Sequence, residues 1–248
     1  MRKFFLLIFL CSVLHVFSQN AKVDSLNNIV NGKGDDSTKV IAFSVLFDLH
    51  VNTPEKALEV LSDLSKFCKT INDEKTKALG IRKIAVGYGN LHYFDKAIEY
   101  NIEAARIFEK VNDKYGLALC YNNLGTNYNT KGEITGDTAF FKRSLEYHLK
   151  TQKVNSVLND SVLSIFSRYN IAVTYANLNE YDLALKNYNQ VYKEIAAVNI
   201  PGQMEMISMQ LSDCYLKMGL KEGNVHYLNK SLEIIGSRLK YFSPENPT

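Results

Sequence analysis

A small residue followed three positions later by tyrosine occurs four times along this chain, at Ala85/Tyr88, Gly125/Tyr128, Ala172/Tyr175 and Ser212/Tyr215. An aliphatic residue stands immediately before each small one: Ile84, Leu124, Ile171 and Leu211. Each mark is followed by a second, at Ala97-Ile98, Ser144-Leu145, Ala184-Leu185 and Ser231-Leu232. The first small residue lies 12, 19, 12 and 19 positions before the second, and successive repeats are offset by 40, 47 and 40. The array therefore has a double period of 87 residues, in which a short and a long helical hairpin alternate. The long hairpins carry seven extra residues between the two marks, around 134–140 and 220–227. Four Pro and 13 Gly in 248 residues fit long helices and disfavour a turn-rich β fold.

The small residues have a steric purpose. They let the two antiparallel helices of a hairpin approach closely, with the tyrosine ring filling the space beside them. One hairpin cannot bury its apolar face alone, so neighbours must stack, which gives a solenoid with a concave side. The expected hairpins are 36–71, 76–112, 116–158, 162–199 and 203–242. The first is degenerate: Asp36-Ser37-Thr38 supplies a helix cap, and Thr53-Pro54 a second start with proline at the first helical position. A short helix or linker covers 20–35, and residues 243–248 form a breaker-rich tail.

The pattern aliphatic–small–x–x–Tyr, then Ala–aliphatic, as in Ile84–Tyr88 with Ala97-Ile98 and in Ile171–Tyr175 with Ala184-Leu185 and Tyr188, resembles the tetratricopeptide repeat family. The resemblance covers about Asp36 to Tyr241. It departs from the family in repeat length, 40 or 47 residues against about 34. Trp is absent, and Ser replaces Ala at 144 and 231. The resemblance implies an all-α, right-handed solenoid of about five antiparallel hairpins, its concave face lined by the first helix of each. It also implies a non-catalytic scaffold that binds a protein or peptide. The longer repeats look like the exported arrays that precede signalling modules in bacterial sensor kinases and regulators.

Helical spacing from the small residues places a stripe on the concave side. Its polar members are Arg82, Lys83, Asn122, Asn123, Thr126, Asn129, Tyr169, Asn170, Asn177, Gln210 and Asp213. The resemblance implies that Asn123 and Asn170 pin a peptide backbone, since an amide both donates and accepts. Arg82 and Lys83 suit a carboxylate.

No catalytic, metal or nucleotide motif accompanies the repeat. Gly87 and Gly89 lie within a helix rather than after a strand. His92 falls in a turn, and His148 and His226 are expected to be surface helix residues. Cys68, Cys120 and Cys214 are far apart with no C-x-x-C, and read as small apolar residues. No cofactor is expected.

The start of the chain reads as an export signal. Arg2 and Lys3 precede the apolar run Phe4–Leu14, and Ser18 stands near a plausible cut, so 1–19 is expected to be removed and the remainder to work in the periplasm or outside the cell. The competing reading is a retained anchor, for which the run is short. Of 29 basic residues two lie in that segment, leaving 27 against 26 acidic. A near-neutral chain gives no electrostatic case for nucleic acid. Two arrangements suit the C-terminal end: continuation into further repeats or a signalling module of a larger sensor, or a partner covering the last helix.

Overall fold

The computed structural model describes residues 20–158, 160–198 and 202–241, with side chains through 237. The proposed signal segment and the 243–248 tail lie outside these residues. All regular structure in the described residues is helical. Helix α1 covers 20–31. It is followed by α2 (Asp36–His50), α3 (Pro54–Cys68), α4 (Glu74–Asn90) and α5 (Phe94–Lys110), then by α6 (Lys114–Thr135), α7 (Thr138–Leu158) and α8 (Ser161–Asn177). Three more complete the series, α9 (Tyr181–Val198), α10 (Gln203–Glu222) and α11 (Val225–Tyr241). The chain divides into two compact units, residues 1–113 and 114–248.

Helix starts and stops follow local chemistry. Asp35, Asp73 and Asp160 cap α2, α4 and α8 by accepting from the backbone N–H groups of Thr38, Thr76 and Leu163. The cap of α2 is thus Asp35, one residue before the expected group, and that carboxyl is held below its usual range by the Thr38 hydroxyl and N–H. Thr53 makes no side-chain cap bond, so the start of α3 rests on Pro54. Left-handed residues end the helices: His92, Asn112 and Asn179 after α4, α5 and α8, and Gly136 and Gly223 after α6 and α10.

The seven extra residues of the long hairpins are helix, not loop. Their first helix runs ten residues beyond its small residue, Gly125 to Thr135 and Ser212 to Glu222. In the short hairpins it runs five, Ala85 to Asn90 and Ala172 to Asn177. The second helix begins six residues before its own small residue instead of three, and the turn has two residues instead of three. Nothing between Glu133 and Thr135 breaks a helix, so propagation costs less than a loop. Gly132 makes the extension pack: a Cβ there would sit 2.7 Å from the Phe141 ring. Gly219, 87 residues on, stands in the same relation to Leu228 at 2.6 Å.

In the first unit α2 packs on α3 and α4, α3 on α4, and α4 on α5. Its core includes Val40, Leu46, Leu61, Leu64, Ile84 and Ala97. In the second, α6 through α11 pack in sequence and α6 also touches α8 directly. One core cluster there joins Ala172, Ala184, Tyr188, Val191, Ile195, Ile207 and Cys214. The small residues all lie inside: Ala85, Ala97, Ala172, Ala184 and Ser144 are fully buried. Where Ser replaces Ala, its hydroxyl is used. Ser231 meets the Ser212 hydroxyl at 2.9 Å within the last hairpin, and Ser144 meets Thr174 of α8 at 3.1 Å.

Three of the four repeat tyrosines stack face to face on the second helix. Tyr88 lies on Tyr100, Tyr128 on Tyr147 and Tyr215 on Tyr227, with ring planes within 18° and centroids 5.6–6.2 Å apart. Lysines cover these rings, Lys96 over Tyr88, Lys150 over Tyr147 and Lys230 over Tyr215.

One expected position is overturned. His148 is not a surface residue; it is 1% exposed, four residues after Ser144 and hence on the same inward face of α7. Gly125 provides the space, since a Cβ there would stand 2.5 Å from the imidazole.

Replacing Ala184, fully buried in the second unit's core, by leucine is expected to overpack the α8–α9 contact. The loss is on the order of 1–3 kcal/mol. An unchanged thermal midpoint in that variant would show that the close contact lies elsewhere.

Candidate functional site

Helices α6 and α8 run side by side as first helices of successive hairpins and touch one another. Four half-buried asparagines meet across that line. Asn170 Nδ2 donates to Asn122 Oδ1 at 2.8 Å, and Asn177 Nδ2 donates to Asn129 Oδ1 at 3.1 Å. Within each helix the two asparagines are seven residues apart, two turns, so the rungs are about 10.5 Å apart. All four belong to the stripe expected from the sequence.

A fifth residue completes the lower rung. Glu133 Oε1 accepts from Asn129 Nδ2 at 2.8 Å and from Asn177 Nδ2 at 2.9 Å. The carboxylate can only accept, so it fixes the orientation of both amides. Glu133 was not among the residues singled out in the sequence. It lies eight residues after Gly125, in the added turns of α6; the same step from Ala172 lands on Glu180, beyond the end of α8. Its four-residue spacing from Asn129 was the available signal, once α6 is known to continue.

The rungs leave capacity unused. Among the described residues, Asn122 Nδ2, Asn170 Oδ1, Asn177 Oδ1 and Glu133 Oε2 make no hydrogen bond within the chain. The upper rung therefore offers a donor beside an acceptor, the complement of one peptide group. The lower rung offers two acceptors and a negative charge, with a single spare N–H on Asn129.

The other stripe residues are placed differently. Asn123 is half-buried, and the amide that meets Asn170 belongs to Asn122. The Thr126 hydroxyl donates to the Asn122 carbonyl. Tyr169 packs on Tyr188 with centroids 6.0 Å apart, inside its own hairpin. Gln210 accepts from the Tyr188 hydroxyl at 3.5 Å, which turns it toward α9. Exposed Asp213 pairs with Lys217 at 2.7 Å. Arg82 and Lys83 lie half-buried on α4 in the first unit. Burial, then repulsion from Arg82, lowers the Lys83 pKa, and Asp48 of α2 opposes the shift.

A concavity of about 280 Å³ lies among α9, α10 and α11, against Tyr192, Leu211, Tyr215, Lys230 and Glu233. Asn189, Ser208 and Ser237 in its wall donate to carbonyls of their own helices, so little directed polarity is left there.

Burial pushes the thiols of Cys68 and Cys214 up to about 11 and 12. They stay protonated near neutral pH. Among the described residues no group of three or more His, Cys, Asp or Glu stands as a metal set, and no helix is long and apolar enough to cross a membrane.

No protein-family model and no curated protein sequence matches the chain. Solved structures do match its fold. BtubC (BKLC) from P. vanneervenii aligns over 94% of this chain and 93% of its own with TM-score 0.71 and 17% identity. The nearly identical TPR-like repeats of a kinesin light chain from Podospora anserina align over 82% of this chain and 98% of their own, with TM-score 0.63 and 14% identity. A Rap protein complexed with Competence and Sporulation Factor aligns over 86% of this chain and 58% of its own, with TM-score 0.61 and 15% identity. With the all-helical hairpins, buried small residues and stacked tyrosines described above, these likenesses give the chain the fold of a tetratricopeptide-type helical-repeat protein.

Proposed function

We propose that the chain is a non-catalytic scaffold that holds an extended peptide, or an extended segment of a protein, in the groove of α6 and α8. The observation that carries this reading is the pair of amide rungs with unused donors and acceptors. An apolar structural face would spend such groups on its own backbone, whereas these stay open on a half-buried surface. The Rap protein solved with Competence and Sporulation Factor shares the fold, which supports a binding role for this kind of groove. The chain is further proposed to act outside the cytoplasm, supported by Arg2, Lys3 and the apolar run Phe4–Leu14.

The test is affinity capture from cell-envelope extract with the full chain and with an Asn122→Ala/Asn170→Ala double variant. The expected result is a partner held by the first and lost, by tenfold or more, with the second, while both give the same circular dichroism. Each lost peptide-directed hydrogen bond is worth about 0.5–1.5 kcal/mol. Equal capture by the two proteins would send the search away from this groove.

A further inference from the structure

Resting on the peptide-binding reading, we propose that the groove selects a peptide carrying a lysine or arginine side chain, seated at Glu133, with the backbone held at the Asn122/Asn170 rung. Three observations converge. The lower rung is short of donors: Asn177 Nδ2 spends both N–H groups, on Glu133 Oε1 and Asn129 Oδ1, and Asn129 Nδ2 spends one of its two on Glu133 Oε1. What remains there is one N–H of Asn129 against two acceptors, Glu133 Oε2 and Asn177 Oδ1, and one negative charge. A donor-rich cation satisfies that set, and a carboxylate is repelled by it.

The nearby basic groups are engaged elsewhere. No lysine or arginine among the described residues pairs with Glu133. Lys131, two residues earlier on α6, extends over the Phe140 ring at 4.8 Å, on the side of the hairpin turn. Lys217 is held by Asp213, and Lys221 reaches the Asn179 carbonyl at 3.2 Å while lying over Tyr181. The negative charge at Glu133 is thus left for a ligand.

The spacing favours a side chain over a free amino terminus. An extended chain advances about 7 Å in two residues, and the rungs are about 10.5 Å apart. A residue two positions from the amide held at the upper rung needs only a long basic side chain to reach Glu133. The same geometry lets the peptide continue in both directions.

The two hairpin lengths acquire a reason in this reading. Without the added turns of α6, Glu133 would fall in a turn, and the lower rung would be two neutral amides. The 47-residue repeat places a charge where the 40-residue repeat cannot.

The experiment retains peptides on the immobilised full chain and counts them by mass spectrometry. Three acetylated nonapeptide pools are used, random except for a central lysine, glutamine or glutamate. The wild type is expected to retain the lysine pool about five- to tenfold over the glutamine pool, with the glutamate pool lowest; a charge-assisted bond on a half-exposed surface supports a preference of that size. Glu133→Gln is expected to abolish the preference, so that the lysine and glutamine pools are retained alike. Asn122→Ala/Asn170→Ala is expected to lower all three pools together. Equal retention of lysine and glutamine pools by the wild type, or a preference that survives in Glu133→Gln, overturns the cation assignment and leaves the peptide groove standing. Retention of no pool above a protein-free control overturns both. A fourth pool, glutamine-centred with a free amino terminus, that is retained above the acetylated pools while those three are retained alike would move the cation from the side chain to the terminus and equally overturn the assignment.

Discussion

Acidification from pH 7 to pH 4 is expected to remove about 3 kcal/mol of stability from the second unit through His148 alone. The imidazole is 1% exposed, its Nδ1 has no partner among the described residues, and burial lowers its pKa from an ordinary 6.5 to about 4. The unfolded chain therefore takes up a proton near pH 6.5 that the folded chain refuses until about pH 4. Above pH 6.5 both forms are neutral and the group is silent. Between pH 6.5 and about 4 the unfolded state binds more protons, so stability falls with pH. Below about 4 both are charged and the loss is complete. The depressed carboxyls of Asp35 and Asp73 lose their cap bonds only below the ordinary carboxylate value of 3.8, so the two windows separate. Urea unfolding at several pH values checks this, read against His148→Phe, which keeps a flat ring beside Gly125. The variant is expected to show a flat midpoint from about pH 7 to 4.5. A wild-type midpoint equally flat over that range would mean that the folded state accommodates the charged ring.

The burial of His148 was readable before any coordinates, and it shows where sequence reasoning stopped short. A residue four places after Ser144 shares its helix face, and Gly125 opposite is one Cβ smaller than Ala85 or Ala172 at the same repeat position. The marks at Ala85, Ala97, Ala172 and Ala184 located the hairpin contacts because steric need is strict there: only small residues fit. Helix boundaries in the long repeats were harder, since a length difference between marks does not say whether it is coil or helix. The turn glycines, Gly136 and Gly223, carried that information through their left-handed backbone. The rungs lay one step further away. Their members are 48 residues apart while the repeat marks are 47 apart, so side chains at equivalent repeat positions do not meet. Asn123, at the register the family pattern favours, is displaced by Asn122 for that reason. Pairing across two helices depends on their axial stagger, which no local pattern encodes.

Asn155→Leu is expected to stabilise the chain by about 2 kcal/mol. Asn155 is fully buried, and among the described residues neither its Nδ2 nor its Oδ1 has a hydrogen-bond partner. It stands eleven residues after Ser144. The same step from Ala97 gives Phe108, 3% exposed, and from Ala184 gives Ile195, 1% exposed. The inward face of α7 thus carries an amide where its counterparts carry hydrocarbon. Two buried unpaired groups cost their full desolvation, about 1–3 kcal/mol each by mutational measures. Leucine has nearly the shape of asparagine and no polar atom, so it removes that cost without opening a cavity. For a protein of this size the midpoint is expected to rise by roughly 4–8 °C. Scanning calorimetry of Asn155→Leu beside Asn155→Ala separates the terms. If desolvation dominates, leucine raises the midpoint, and alanine loses part of that gain to the cavity it leaves. A fall in the leucine variant would mean that a water molecule already satisfies the amide, and that α7 keeps its polar stripe hydrated rather than frustrated.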